Sequence, residues 1–121
     1  MAVLIHLKVS LQDGIPVIDV DGELDHSATP ELRTQIANLV GQGHRSVVMD
    51  MSHVSFMDSG GISLIIYAMK RLAAVNGGVI LAGCNNRIIR KLGVGGLTRI
   101  SDALKLAPSV EQAIRGLKHT H

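Results

Sequence analysis

Aromatic side chains are almost absent from this 121-residue chain, which has one phenylalanine, one tyrosine and no tryptophan. A core must therefore be built from aliphatic residues and methionine, which fits a folded chain with 46% hydrophobic residues. The same scarcity argues against a surface that stacks nucleobases or sugars. The net charge of +2 is too small to indicate nucleic acid, so we expect no direct nucleic-acid partner.

Cysteine and long apolar runs are also scarce. A single cysteine, Cys84, excludes an internal disulfide and fits a reducing compartment. The N-terminus lacks the charged start and apolar run of a signal peptide. No apolar stretch reaches the roughly 20 residues that span a bilayer. We therefore expect a cytoplasmic protein without membrane insertion.

The charged residues are unevenly divided along the chain. Residues 1–60 carry three basic and eight acidic side chains, whereas residues 61–121 carry nine basic and two acidic ones. This uneven distribution of charge is suited to docking on a partner of complementary charge. The alternative interpretation is an ordinary solvated surface.

Hydrophobic periodicity predicts strands that alternate with helices after an opening hairpin. The predicted strands are residues 3–11, 15–20, 46–51, 79–82 and 97–101. The predicted helices are residues 30–40, 62–73, 86–92 and 109–117. This order indicates an α/β fold, with one mixed central sheet of about four to five strands and about four helices. We expect residues 1–121 to form a single domain with a disordered tail over 118–121.

Local signals mark the connections between these elements. Asp13-Gly14 predicts a tight hairpin turn. Pro16 cannot donate to a strand ladder, so it belongs at the start of its strand or on an edge. Residues 22–27 are polar and predict a loop, after which Thr29 is a candidate N-cap for the first helix.

The stretch 50–61 carries the most information, because it begins as a buried strand and ends in a helix entry with one hydroxyl, Ser59, at the turn. A protease-like nucleophile is the first interpretation, since Asp-Ser-Gly-Gly superficially resembles the run in trypsin-like enzymes. Those enzymes need two β-barrels and an upstream His and Asp, and the α/β-hydrolase elbow needs Gly where this chain has Met57. No base can be assigned to Ser59, so hydrolysis is disfavoured.

Other chemistries find little support. The glycine run at 93–96 lacks the Lys-Ser/Thr ending of a phosphate-binding loop. None of the six histidines pairs with another at helical i, i+4 spacing, and Cys84 has no second thiol, so no metal site is predicted. We expect no cofactor. A purely structural role remains open, in which Asp58 or Ser59 caps the following helix.

Two separated stretches resemble the STAS domain, and more narrowly the anti-sigma-factor antagonists of bacterial partner-switching systems. They are residues 22–25 (Gly-Glu-Leu-Asp) and residues 50–61, which contain a Phe-Met-Asp-Ser run. The order of elements agrees over nearly the whole chain. The resemblance implies that Ser59 is the phosphorylated serine and that the family's loop acid corresponds to Asp25. The implied partner-binding residues are Asp25, His26, Asp58, Ser59, Gly60, Gly61 and Ile62.

The same resemblance implies a non-enzymatic switch in transcription regulation. The unmodified form would bind an anti-sigma factor that is also an ATP-dependent serine kinase, and would thereby release the sigma factor. Phosphorylation of Ser59 would end this binding, and a metal-dependent serine phosphatase would reset it. The chain departs from the family at Gly60, where a second Ser or Thr is usual, which puts kinase recognition in question.

Two further possibilities stay open. The chain can instead be an unphosphorylated STAS-type adaptor subunit of a transporter or signalling complex, in which Ser59 is only a cap. The second predicted helix has an apolar surface widened by Leu64 and Ala68, which indicates either deep burial or contact with a partner. A weak homodimer is one such contact.

Overall fold

A computed structural model describes residues 5–93 and 102–118 of the chain. Its strands are β1 (Ile5–Gln12), β2 (Ile15–Leu24), β3 (Ser46–Met57), β4 (Gly78–Ala82) and β5 (Leu104–Ala107). Its helices are α1 (Thr29–Gly41), α2 (Ser59–Ala73), α3 (Asn86–Lys91) and α4 (Val110–Lys118). The described elements confirm an α/β fold, with five strands and four helices in the ranges just given.

The five strands form one mixed sheet in the order β1-β2-β3-β4-β5. β1 and β2 are antiparallel, and the other neighbouring pairs are parallel. Asp13 and Gly14, which connect β1 to β2, both have positive φ, at 54° and 77°. Positive φ at both central residues is the geometry of a type I′ hairpin, so the predicted turn is confirmed. Pro16 is the second residue of β2, as its missing N–H requires.

Helices cover both faces of the sheet. The larger core lies on one face, where Ile36 of α1 and Leu64, Ile65 and Leu72 of α2 are completely buried. On the other face, Ala113 and Ile114 of α4 pack with alternate residues of the three central strands. The Val47-Val48-Met49 run of β3 contributes to both cores, which confirms a strand buried on both faces.

The structure corrects three boundaries that the sequence predicted. Residues 22–24 belong to β2 rather than to a loop, because their backbones pair with β3 and Leu24 is fully buried. β3 continues to Met57 because the same stretch of β2 runs beside it. Thr29 is not the N-cap of α1. That position is Ala28, which makes no side-chain cap, while the Thr29 hydroxyl donates to the carbonyl of His26.

The C-terminal part of the chain differs in detail from the expectation. The predicted strand over residues 97–101 lies outside the described residues, and the structure has a strand at Leu104–Ala107 that the sequence analysis missed. The last helix is present at Val110–Lys118, and the Ser109 hydroxyl accepts a hydrogen bond from the Gln112 N–H at its start. Lys118 therefore belongs to the helix, while residues 119–121 are not described.

Candidate functional site

The turn between β3 and α2 is capped by Asp58. Asp58 has an extended backbone, with φ −107° and ψ −169°, and its Oδ1 accepts from the N–H groups of Gly60 at 2.8 Å and Gly61 at 3.3 Å. The carboxylate thereby satisfies two of the free N–H groups of the helix and complements its dipole. The cap is thus Asp58, and Ser59 is the first helical residue.

The Ser59 hydroxyl is not needed to cap α2, because the Asp58 carboxylate performs the capping. Its side chain is exposed, and within the described ranges no group of the chain hydrogen-bonds to its hydroxyl. An exposed hydroxyl at the first turn of a helix is accessible to a modifying enzyme. A phosphate added there would meet N–H groups already occupied by Asp58, so it would place a second anion beside the first.

Two glycines allow a loop to lie directly against the start of α2. A Cβ atom on Gly60 would lie 2.5 Å from the Cα and 2.6 Å from the N atom of His26, which leaves no room for a side chain. A Cβ atom on Gly61 would lie 2.5 Å from the carbonyl oxygen of Leu24 and would overlap the side chain of Met57. The loop after β2 and the first turn of α2 therefore form one packed unit.

The loop brings Asp25 and His26 to this unit. Nδ1 of His26 lies 3.7 Å from Oδ2 of Asp58, and the His26 side chain is 85% exposed. Asp25 folds back on its own loop, where its Oδ1 accepts from the Ser27 hydroxyl at 2.5 Å and from the Ser27 N–H at 3.0 Å. The hydrogen bond from the Ser27 hydroxyl is the main reason that the pKa of the Asp25 carboxyl is lowered.

Ile62 joins the same helical turn to the core. Its N–H donates to the carbonyl oxygen of Asp58 at 3.2 Å, and its half-buried side chain packs against the larger core. Further along α2, Leu64 and Ala68 are completely buried, and α1 packs against this helix. The wide apolar surface of α2 is therefore explained by deep burial inside the domain.

A second contact to this turn, from α3, was missed by the sequence analysis. Nζ of Lys91 donates to the carbonyl of Met57 at 2.6 Å and lies 4.7 Å from the ring centroid of Phe56. The Asn85 side chain donates to the carbonyl of Val54 at 3.3 Å. The partners are more than 30 positions apart in the sequence, and no local pattern signals such a pairing.

Elsewhere, the sheet brings together Asp19, Asp50 and His53, whose nearest ligand atoms all lie within 4.8 Å of one another. Oδ1 of Asp19 is buried without a hydrogen-bond partner and lies 3.9 Å from Nδ1 of His53, whereas Asp50 accepts two hydrogen bonds from Ser52. These three are the residues of the described ranges whose spacing could admit a cation. Cys84 is half-buried, and burial raises the pKa of its thiol to about 11.

Comparison with known proteins identifies the family. The model of the STAS domain matches residues 6–113, so the chain belongs to the STAS domain family. The anti-sigma F factor antagonist of Lysinibacillus sphaericus is 39% identical over 66 residues, which cover 54% of this chain and 56% of that protein. The anti-sigma-B factor antagonist of Staphylococcus aureus is 29% identical over 93 residues, covering 77% of this chain and 86% of the relative.

Solved structures agree with this assignment. The Bacillus cell fate determinant SpoIIAA in its phosphorylated form has a TM-score of 0.73 and 27% identity, and the match covers 93% of this chain and 99% of that one. The anti-sigma factor antagonist SpoIIAA in its unphosphorylated form gives the same TM-score and identity, over 95% of this chain and 98% of that one. Among the described residues, no helix is long and apolar enough to cross a membrane.

Proposed function

We propose that this protein is an anti-sigma factor antagonist that Ser59 phosphorylation switches off. The proposal depends on one observation. At the turn between β3 and α2, Asp58 caps the helix and Ser59 stays exposed. The names of the relatives, which describe antagonists of anti-sigma F and anti-sigma-B factors, supply the class of partner.

The unmodified protein binds the anti-sigma factor through the unit built by the loop after β2 and the first turn of α2. The residues of this unit are Asp25, His26, Asp58, Ser59, Gly60, Gly61 and Ile62, of which Gly61 is buried and supports the surface from beneath. Binding occupies the anti-sigma factor, and the sigma factor is thereby released to direct transcription. The protein itself performs no chemistry in this scheme.

Phosphorylation acts through charge at this surface. A phosphoserine adds about −1.5 to −2 charges at pH 7. The N–H groups of Gly60 and Gly61 already bind the Asp58 carboxylate, so these two donors are not available to stabilise the charge of the phosphate. A loss of about 3 kcal/mol in partner binding corresponds to roughly a hundredfold weaker affinity. No rearrangement of the domain is required.

The proposal includes two enzymes, a kinase that phosphorylates Ser59 and a phosphatase that removes the phosphate. The anti-sigma factor is also the ATP-dependent serine kinase that modifies Ser59, and a metal-dependent serine phosphatase removes the phosphate. Gly60 leaves Ser59 as the single hydroxyl at the tip of the turn, which makes the modified position unambiguous. Ser63, one helical turn further on, is also exposed and provides a matched control hydroxyl.

Intact-mass measurement after incubation with ATP and the anti-sigma F or anti-sigma-B factor tests the proposal. The wild type and Ser63→Ala should each gain one phosphoryl group, and Ser59→Ala should gain none. Because Asp58 supplies the cap, Ser59→Ala should also fold like the wild type. An unmodified wild type, under conditions where the Lysinibacillus relative is modified, would favour the adaptor function instead.

Binding measurements test the charge argument separately. Ser59→Ala should bind the anti-sigma factor in the presence of ATP without being switched off. Ser59→Asp should bind roughly a hundredfold more weakly. Equal affinities of the two variants would contradict the repulsion mechanism even if Ser59 proved to be the modified residue.

A further inference from the structure

Within the described residues, the last part of β3 has a strand neighbour on one side, which is β2. Within the described ranges, β4 pairs with β3 only from Ser46↔Gly78 to Asp50↔Ala82. β3 continues to Met57, and its pairing with β2 also ends there, at Leu24↔Met57, after register shifts between Asp19 and Asp21 and between Gly22 and Glu23. Residues 51–57, here named the β3 extension, therefore lead into the Ser59 turn without support from β4.

Side chains from the α3 region make hydrogen bonds to this extension. Asn85 donates through Nδ2 to the carbonyl of Val54, while its Oδ1 accepts from the Ile88 N–H at the start of α3. Lys91, the last residue of α3, donates to the carbonyl of Met57 at 2.6 Å. The two contacts lie at opposite ends of the helix, so α3 is fixed along the extension.

Lys91 makes a second contact with the same segment. Its ammonium lies 4.7 Å from the ring centroid of Phe56, within the range of a cation–π interaction. Phe56 is 46% exposed, and it immediately precedes Met57. One ammonium thus binds both the carbonyl and the ring of two consecutive residues, directly before the Asp58 cap.

We propose that Lys91 is a positioning residue for the Ser59 turn. By holding the Met57 carbonyl, Lys91 restricts the peptide that joins Met57 to Asp58. That peptide sets the extended backbone from which Asp58 reaches the N–H groups of Gly60 and Gly61. Lys91 therefore acts on Ser59 through Met57 and Asp58, without contacting a partner itself.

The strength of this contact justifies the assignment. A hydrogen bond from a charged donor is about twice as strong as one between neutral groups. Its loss would leave the Met57–Asp58 peptide held through the longer hydrogen bond of the Asp58 N–H to the Leu24 carbonyl, at 3.4 Å, and would loosen the cap, while the buried core of α2 would be unaffected. The part of the proposal that concerns partner binding rests on the proposed function, whereas the part that concerns the turn does not.

Three variants test whether Lys91 positions the Ser59 turn. Lys91→Met keeps an unbranched chain over Phe56 and removes the charge and the donor. Lys91→Arg keeps both, and should restore the contact to the Met57 carbonyl. Arg90→Met removes one positive charge from the neighbouring exposed position of the same helix, for which the described ranges show no side-chain contact.

Amide hydrogen exchange at Gly60 and Gly61, followed by NMR, is the primary measurement. Lys91→Met should accelerate exchange at these two amides about tenfold, with no change at core amides of β3. Lys91→Arg and Arg90→Met should match the wild type. The assignment is overturned if Lys91→Met leaves both amides unchanged, or if Arg90→Met accelerates them equally.

Affinity for the anti-sigma F factor provides the second measurement. Lys91→Met should weaken binding several-fold, and Lys91→Arg should restore it. Unchanged affinity together with faster exchange would overturn the claim that the turn's position matters to the partner. A wild type that binds neither the anti-sigma F nor the anti-sigma-B factor would contradict the proposed function, while the exchange measurement would still decide the positioning role.

Discussion

The backbone of His26 occupies the space that a side chain on residue 60 would need, since a Cβ atom on Gly60 would lie 2.5 Å from the His26 Cα. The close contact gives a physical reason for glycine here, because the loop after β2 lies directly on the helix. Gly60 therefore permits close packing between the two halves of the site.

Gly60→Ser should separate the loop from the helix. Overpacking of this kind typically lowers the free energy of unfolding by about 1–3 kcal/mol, which urea denaturation would measure. Gly116→Ala is the control, since a Cβ atom at this helical position meets nothing within 4 Å and should stabilise the protein by about 0.5–1 kcal/mol. Wild-type stability in Gly60→Ser would contradict the packing described for the loop.

Asp58 caps α2 and also carries a negative charge, and two substitutions separate these two roles. Asp58→Asn keeps an oxygen that can accept from the N–H groups of Gly60 and Gly61, whereas Asp58→Ala does not. Asp58→Ala should therefore cost about 1 kcal/mol of unfolding free energy, and Asp58→Asn much less. Both variants should alter anti-sigma factor affinity if the carboxylate's charge matters to the partner. Equal destabilisation of the two variants would argue against the capping role.

The loop containing Asp25 should contribute to acid sensitivity. The hydrogen bond from the Ser27 hydroxyl lowers the pKa of the Asp25 carboxyl in the folded state. Its stabilisation is therefore present above the unfolded-state pKa of about 4, and is lost as the pH falls through the lower folded-state pKa. Asp25→Asn should flatten the fall of unfolding free energy below about pH 4. In Ser27→Ala, NMR titration should show the Asp25 pKa returning toward its ordinary value.

Cys84 should react slowly in the folded protein. Burial raises the pKa of its thiol to about 11, so only about one thiol in a thousand is ionised at pH 8. Alkylation by iodoacetamide should therefore be far slower in buffer than in urea, as mass spectrometry would show. Because the folded-state pKa is raised, this group's contribution to stability declines as the pH rises above the unfolded-state value. Equal labelling rates in both solvents would contradict the burial of this side chain.

Several features followed from the sequence because their causes are local. The type I′ turn at Asp13-Gly14 depends on two residues that tolerate positive φ. The burial of β3 on both faces follows from three consecutive apolar residues, 47–49. In α2, apolar residues at helical spacing were sufficient to locate the helix, and a resemblance over two short stretches selected Ser59 and Asp25 as site residues.

The remaining features depend on contacts that sequence patterns do not contain. The strand character of the β3 extension was hidden because its buried residues, Met51, Val54 and Met57, recur every third position instead of alternating, where the pairing with β2 is irregular. The choice between Asp58 and Ser59 as cap required backbone angles. The hydrogen bond from Lys91 to Met57 spans 34 positions, and the fit of His26 against Gly60 is likewise a tertiary contact.

The way in which the end of β3 is held affects how the Ser59 turn can change during evolution. Within the described ranges, β2 pairs with one side of this strand end and β4 does not reach the other side, where the side chains of Asn85, just before α3, and Lys91, its last residue, bind backbone carbonyls. Substitutions at the surface of α3 can then adjust the angle of the turn while the sheet and its core remain intact. Such substitutions provide a route to altered partner specificity that leaves the folding of the domain unchanged.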